Sequence, residues 1–243
     1  MKEHLVANMA WPEVEQCIKK SKAVILPLGS TEQHGYHMAV GTDTVVSDYV
    51  CLELAKRTDC VVLPTLPYGQ VWSAKGFPGT LSLRQSTFIA VVKDIVVSLE
   101  RQGAQNVILF SGHYGNMQPS RDAARELIDE YGYRNVWYLG YINVNQYNTA
   151  FMQTQLWNQK TFHAAELETS IMLHVAPELV RMEKAVREEP EVPPQLELRP
   201  MHWKEFSRSG SFGDATQATA EKGRRFLERW IEDLSHLILH KIS

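Results

Sequence analysis

Cysteine is scarce in this chain. Its 243 residues contain only Cys17, Cys51 and Cys60, an odd number without CxxC spacing. That count excludes a disulfide framework and reads as buried thiols in a reducing compartment. A basic excess is missing too: the formal net charge is −3, with acids and bases interspersed. No positive field is available to hold a phosphate backbone, which argues against nucleic acid as a partner. No apolar run approaches the length of a membrane span, and the N-terminal "MKEHLVANMAWPEVEQ" is too polar for a secretion signal. The expectation is a soluble cytoplasmic protein with no membrane partner. A Walker loop, a GxGxxG turn and a GxSxG elbow are also absent, and "SGHYGN" lacks the lysine that a phosphate loop needs.

What the chain has is core material. Hydrophobic residues make up 44%, enough for one large domain spanning residues 1–243. Apolar, β-rich runs recur at 23–29, 60–67, 106–112 and 135–144, and continuous runs of this length suit strands covered on both faces. Between and after them, helical periodicity predicts helices over 44–57, 86–102 and 118–131, another beginning near Ala164, and a last one over about 217–240. The alternation predicts a three-layer α/β fold, a mostly parallel sheet flanked by helices. "REEPEVPPQLELRP" (187–200), with four prolines, forbids a helix. It reads as an excursion within the domain, because too little sequence follows it to build a second core.

Ligands bind beyond the carboxyl ends of strands in such sheets, and three polar clusters fall there. Glu32, His34 and Asp43 follow the first run, His113 follows the third, and His163 and Glu166 sit in "HAAELETS". His163 and Glu166 share a face if the helix has begun by then. As structural residues, the first cluster would be a hydrogen-bonded turn with Asp43 capping the next helix, and Glu166 would complement a helix dipole. Buried together without cations, however, carboxylates and imidazoles would raise one another's pKa at a cost of several kcal/mol. A divalent ion resolves this conflict, and mixed imidazole and carboxylate donors suit zinc, manganese or iron. Five candidate ligands, Glu32, His34, Asp43, His113 and Glu166, exceed what one catalytic metal needs. Two divalent ions with a bridging hydroxide would neutralise the three carboxylates, and metal-held water is a nucleophile at neutral pH.

The segments "LPLGSTEQHGYHMAVGTD", "FPGTLSL", "SGHYGN", "HAAELETSIMLHVAPELV" and "GSFGDATQATAEKG", in this order, resemble the successive signatures of the creatininase family of metal-dependent hydrolases, also called creatinine amidohydrolases. The resemblance implies a parallel α/β sheet, a dinuclear metal site and a homohexamer. It further implies that Glu32, Asp43 and His113 hold one metal, and that His34, Asp43 and Glu166 hold the other. His163 is then the proton-transfer residue. In the creatininase that names the family, the residue two after the motif histidine is a metal-binding glutamate. This chain has Gly115 there, and the family pattern with glycine draws the ligand from the "HAxE" helix instead. The tryptophan-rich lid of that creatininase is not reproduced, since "FMQTQLWNQKTFH" offers Trp157 without the paired spacing.

The expected activity is therefore a metal-dependent hydrolase opening a small cyclic substrate. A bridging hydroxide would attack, one metal would polarise the substrate oxygen, and His163 would pass a proton to the leaving nitrogen of a cyclic amide. Alternatives are C–C cleavage of a cyclic diketone such as a diketo-inositol, a deformylase or peptidase activity, or a metal- or sugar-binding module without catalysis. Ser73 and Tyr114 are expected to face substrate. Glu168 and Thr169 are expected to support helix packing or to stand behind the ligands, and His37 to lie at the surface or behind them. His174 is too far along its helix to join His163. His4, His202, His236 and His240 carry no assigned role.

Overall fold

The computed structural model describes residues 3–157 and 162–242. Its central sheet has four parallel strands, β1 (Val24–Leu28), β2 (Val61–Val62), β3 (Val107–Ser111) and β4 (Val136–Leu139), in the order β2-β1-β3-β4. The helices are α1 (Trp11–Lys20), α2 (Thr42–Thr58), α3 (Gln85–Arg101), α4 (Met117–Tyr131), α5 (Val144–Phe151), α6 (Glu166–Val175) and α7 (Ala220–Lys241).

Side chains alternate across the strands, and each set founds its own core. Ile25, Ile108 and Phe110 pack with Val46, Val50 and Leu54 of α2, Leu167 and Ile171 of α6, and Phe226, Trp230 and Leu234 of α7. Val24, Leu26, Leu28, Val107 and Leu109 pack on the other face with Ile18 of α1, Phe88, Val92 and Val96 of α3, and Ala123 and Leu127 of α4. The strands thus read as unbroken apolar runs because both faces are covered. This is the expected three-layer α/β fold. Among the described residues, no helix is long and apolar enough to cross a membrane.

Three local expectations need correction. The run 60–67 pairs as a strand only at Val61–Val62, since Pro64 and Pro67 lack the N–H that a ladder needs; one further bridge joins Leu28 to Leu66. The run 135–144 ends as a strand at Leu139, and its last residue opens α5 after Asn143 turns the chain through φ +54. Helix α1 was not anticipated. It has Pro12 in its first turn, and the Glu13 carboxylate accepts from the Ala10 N–H at 2.8 Å.

The proline-rich stretch forms no α-helix. Its start, β5 (Arg187–Glu188), pairs antiparallel with β6 (Gly213–Asp214). Its middle is held where the Trp157 indole N–H donates to Pro190 O at 2.9 Å.

Candidate metal centre

The loop after β1 and the turn after β3 leave the same end of two neighbouring strands, so their polar side chains converge. Gly29 permits the approach of α2: a Cβ there would lie 2.7 Å from Thr44 Cα. Asp43 lies inside the first turn of α2, so it is not the helix cap that the structural alternative required. The positive helix end still favours its charge, and Ser30 Oγ donates to its Oδ2 at 2.6 Å.

Glu32, His34, Asp43, His113, His163 and Glu168 are all buried. Their donor atoms form three groups tight enough for a metal ion: Glu32, Asp43 and His113; His34, Asp43 and Glu168; and Glu32, His34 and His163. Asp43 belongs to two of these groups. His113 Nδ1 is 3.1 Å from Glu32 Oε2 and 2.9 Å from Asp43 Oδ2. Its Nε2 lies 2.9 Å from Gln70 O, an acceptor only, so Nε2 carries the proton and Nδ1 is the free ligand atom. His34 is mounted in the opposite sense. Its Nδ1–H donates to Glu32 O at 3.0 Å, while its buried Nε2 has no hydrogen-bond partner and lies 3.2 Å from Asp43 Oδ1. A carbonyl fixing one ring nitrogen and leaving the other aimed at carboxylates is how metal-binding histidines are held.

Electrostatics shows the strain of this cluster. Burial raises the Glu168 carboxyl to about 7, Asp43 and Glu32 add to the rise, and His34 and the Ala164 amide oppose it. Burial works against a charge on His34, but Asp43, with Glu168 and Glu32, pulls it up to about 10. His113 is raised in the same manner by Glu32 and Asp43 against the effect of burial. Burial holds His163 neutral, near 4. The carboxylates thus draw positive charge onto His34 and His113, and divalent cations fit this donor set because they would supply that charge with neutral imidazole ligands.

Glu166, expected among the ligands, is not brought to the cluster. Ala164 adopts φ +49 and α6 begins at Glu166, so His163 precedes the helix and shares no face with Glu166. The Glu166 carboxylate turns away. It accepts from the amides of Gln153 (3.0 Å) and Thr154 (2.7 Å) and the Thr154 hydroxyl (2.6 Å), and it pairs with Lys222 Nζ at 2.5 Å. Glu168 takes the expected place, two residues on, with Oε2 3.9 Å from His34 Nε2 and accepting from the Ala164 N–H at 2.6 Å. Both glutamates are visible in the sequence, but choosing between them requires the helix start, which no residue type announces.

The structure accounts for Gly115 as well. A Cβ there would lie 2.4 Å from His113 Nε2 and 2.6 Å from Gln70 O, so no side chain fits while the Gln70 carbonyl holds His113. His37 is fully buried behind the cluster, its Nε2 2.8 Å from Thr169 Oγ1. His163 Nε2 lies 2.8 Å from Gln33 O and 3.0 Å from the Gln33 side-chain Nε2, and its Nδ1 is 3.9 Å from Glu168 Oε2. A cleft of about 150 Å3 opens above Glu32, His113, His163 and Glu168, and the expected Ser73 and Tyr114 both line it. Gln70, Trp72, Phe162 and Trp203 line it too and were not singled out by sequence. Of the stretch searched for a lid, residues 158–161 lie outside the described residues.

Comparison with known proteins identifies the family. The creatininase family model, described as creatinine amidohydrolase, matches residues 7–238. The creatinine amidohydrolase of Pseudomonas putida is 28% identical, over 98% of this chain and 96% of its own. The 3-dehydro-scyllo-inosose hydrolase of Thermotoga maritima is 26% identical, over 95% of this chain and 81% of its own. A solved mutant creatininase of zinc–zinc type superimposes with a TM-score of 0.87 at 28% identity, covering both chains completely. With a family match that spans nearly all of its length and the same fold, the chain belongs to the creatininase family of hydrolases.

Proposed function

We propose that the chain is a single hydrolase domain that depends on two divalent ions and opens a small cyclic amide by C–N cleavage. The observation that carries this reading is the pair of three-residue groups sharing Asp43, with the partnerless Nε2 of buried His34 aimed into one of them. Glu32, Asp43 and His113 would hold one ion; His34, Asp43 and Glu168 would hold the other. Imidazole and carboxylate donors suit zinc or manganese, and the zinc–zinc creatininase is a structural neighbour. When bound, the ions supply Lewis acidity and acidify water from a pKa of about 15.7 toward about 7.

The remaining roles belong to the chain's own side chains. Gln33 holds His163 through its Nε2, with backbone O at 2.8 Å and side-chain Nε2 at 3.0 Å, and the Nδ1, 3.9 Å from Glu168 Oε2, would take up a proton and return it to the leaving nitrogen. Burial lowers the pKa of that imidazole to about 4, so the ring is neutral at pH 7. Ser73 and Tyr114, on the cleft wall, would contact substrate. Assembly as a homohexamer in the cytoplasm belongs to this reading.

The test combines metal analysis with proton NMR of metal-loaded protein. The substrates are creatinine, a formamidopyrimidine, a diketo-inositol and a short peptide, with a chelated control. Two equivalents of metal and chelator-sensitive opening of the cyclic amide are expected. Consumption of the diketo-inositol instead would transfer the reading to C–C cleavage, which the relationship to the Thermotoga maritima hydrolase favours.

A further inference from the structure

The cleft has a wall that the metal-site residues do not build. Trp203 comes from the turn that follows the proline-rich excursion, and it lines the cleft beside His163 with ring centroids 4.7 Å apart. Its backbone is fastened to the opposite rim. The Trp203 N–H donates to Ser73 O at 2.8 Å, and His202 Nδ1–H donates to Trp72 O at 2.9 Å. The Trp72 and His202 rings meet at 4.2 Å, and Lys204 Nζ lies 5.6 Å from the Phe77 ring centroid. The turn is closed by Glu205, whose carboxylate accepts from the His202 N–H at 2.7 Å.

Behind Trp203 lies more aromatic surface. Phe212 is 4.8 Å from it, Trp157 is 4.8 Å from Phe212, and Phe206 is 6.0 Å from Phe212. Phe212 also anchors the catalytic side, because its N–H donates to His163 O at 2.9 Å. The indole is therefore held before any ligand arrives, so stacking on it costs little ordering entropy. A cleft of about 150 Å3 lies below the roughly 300 Å3 at which drug-sized pockets begin. A small ring is of a size to enter it.

We infer that Trp203 is a specificity-determining residue, the face on which a small planar ring stacks while its reacting bond lies over Glu32, His113 and Glu168. The inference deepens the proposed cyclic-amide reading and rests on it for the bond that is cleaved, but the stacking is measurable without turnover. A base-sized ring stacked on an aromatic side chain is worth about 1–3 kcal/mol, and about 1.4 kcal/mol is tenfold in affinity.

The experiment uses the metal-loaded full chain and the variants Trp203→Ala, Trp203→Leu and Trp203→Phe, each checked for metal content and melting temperature. With creatinine as substrate, KM is expected to rise at least about fivefold in the Ala and Leu variants and less than threefold in the Phe variant. The kcat at saturation and the metal content should stay within about twofold. The Leu variant keeps apolar bulk and serves if the Ala variant does not fold. An unchanged KM in Trp203→Leu, or a fall in kcat at constant KM, overturns the inference, because Trp203 would then only prop His163. If no cyclic amide is opened by the parent chain, the proposed reaction fails, and saturation-transfer NMR with creatinine and uracil decides the stacking alone. Ring binding retained by Trp203→Phe and lost in Trp203→Leu supports it; no ring binding by the parent chain overturns it.

Discussion

Glu166 and Glu168 lie two positions apart on α6, about 200° around the helix axis, so when one faces His34 the other must face α7. Their substitutions should therefore fail differently. Glu168→Ala is expected to lose one equivalent of metal and to lower kcat by more than the roughly 10–100-fold typical of losing a residue that only supports a ligand. Glu166→Ala should keep both metals. It leaves Lys222 and the amides of Gln153 and Thr154 without their buried acceptor, and breaking such a pair costs about 3 kcal/mol. Elemental analysis and a urea melt on both variants check the contrast. Full metal content in Glu168→Ala would remove Glu168 from the ligand set.

Contacts between elements set two further expectations. Helices α6 and α7 cross at Gly223, where a Cβ would lie 1.9 Å from Ser170 O. Backbone cannot retreat as a flexible side chain can, so Gly223→Ala should cost about 3 kcal/mol, the upper end for overpacking. That cost would appear as a lower urea midpoint at an unchanged slope. The excursion after α6 is closed by Glu188, whose carboxylate accepts from Ser207 Oγ at 3.0 Å, from the amides of Arg208 at 2.7 Å and Ser209 at 2.8 Å, and from the Ser209 hydroxyl. Burial raises its pKa, but these donors, Ser209 foremost, hold it below the ordinary value of 4.5. A depressed carboxylate contributes stability above its unfolded pKa and loses it as pH falls through the folded one. Glu188→Gln should therefore lower the melting temperature at pH 7, and the gap from the parent chain should begin to narrow as pH falls below the ordinary glutamate value of about 4.3. A gap independent of pH would contradict the assignment.

For the molecule taken whole, the candidate metal centre joins the loop after β1, the turn after β3 and the start of α6, so ions that bind only the folded chain should stabilise all of it. At a free concentration one hundred times the dissociation constant, the gain is about 2.7 kcal/mol per site. Titrating zinc or manganese into chelator-treated protein should raise the melting temperature, and restoring the chelator should reverse the rise. A melting temperature indifferent to both would argue that the clustered carboxylates and imidazoles need no ion.

The layered α/β fold was legible without coordinates because its signals are local. Unbroken apolar strands, helical periodicity over the segments that became α2, α3, α4 and α7, and polar clusters at strand ends all lie within a few residues of one another. Glu32, His34, Asp43, His113 and His163, which the fold brings together, could be singled out in the same way, each in a short glycine-bearing or helix-leading stretch. What the tertiary structure decided depended on distance along the chain and on backbone angle. The left-handed turn at Ala164, after which Glu168 and not Glu166 faces His34, involves an ordinary alanine whose amide is held by the Glu168 carboxylate. The fourth strand ends at Leu139, and Asn143, at φ +54, turns the chain into α5. The aromatic wall joins Trp72, Phe162 and Trp203, remote segments that share no pattern until the 72–77 loop and the 202–205 turn are fastened together. Periodicity and residue chemistry are written in neighbouring positions; which faces meet is decided by packing, and packing is a property of the folded chain.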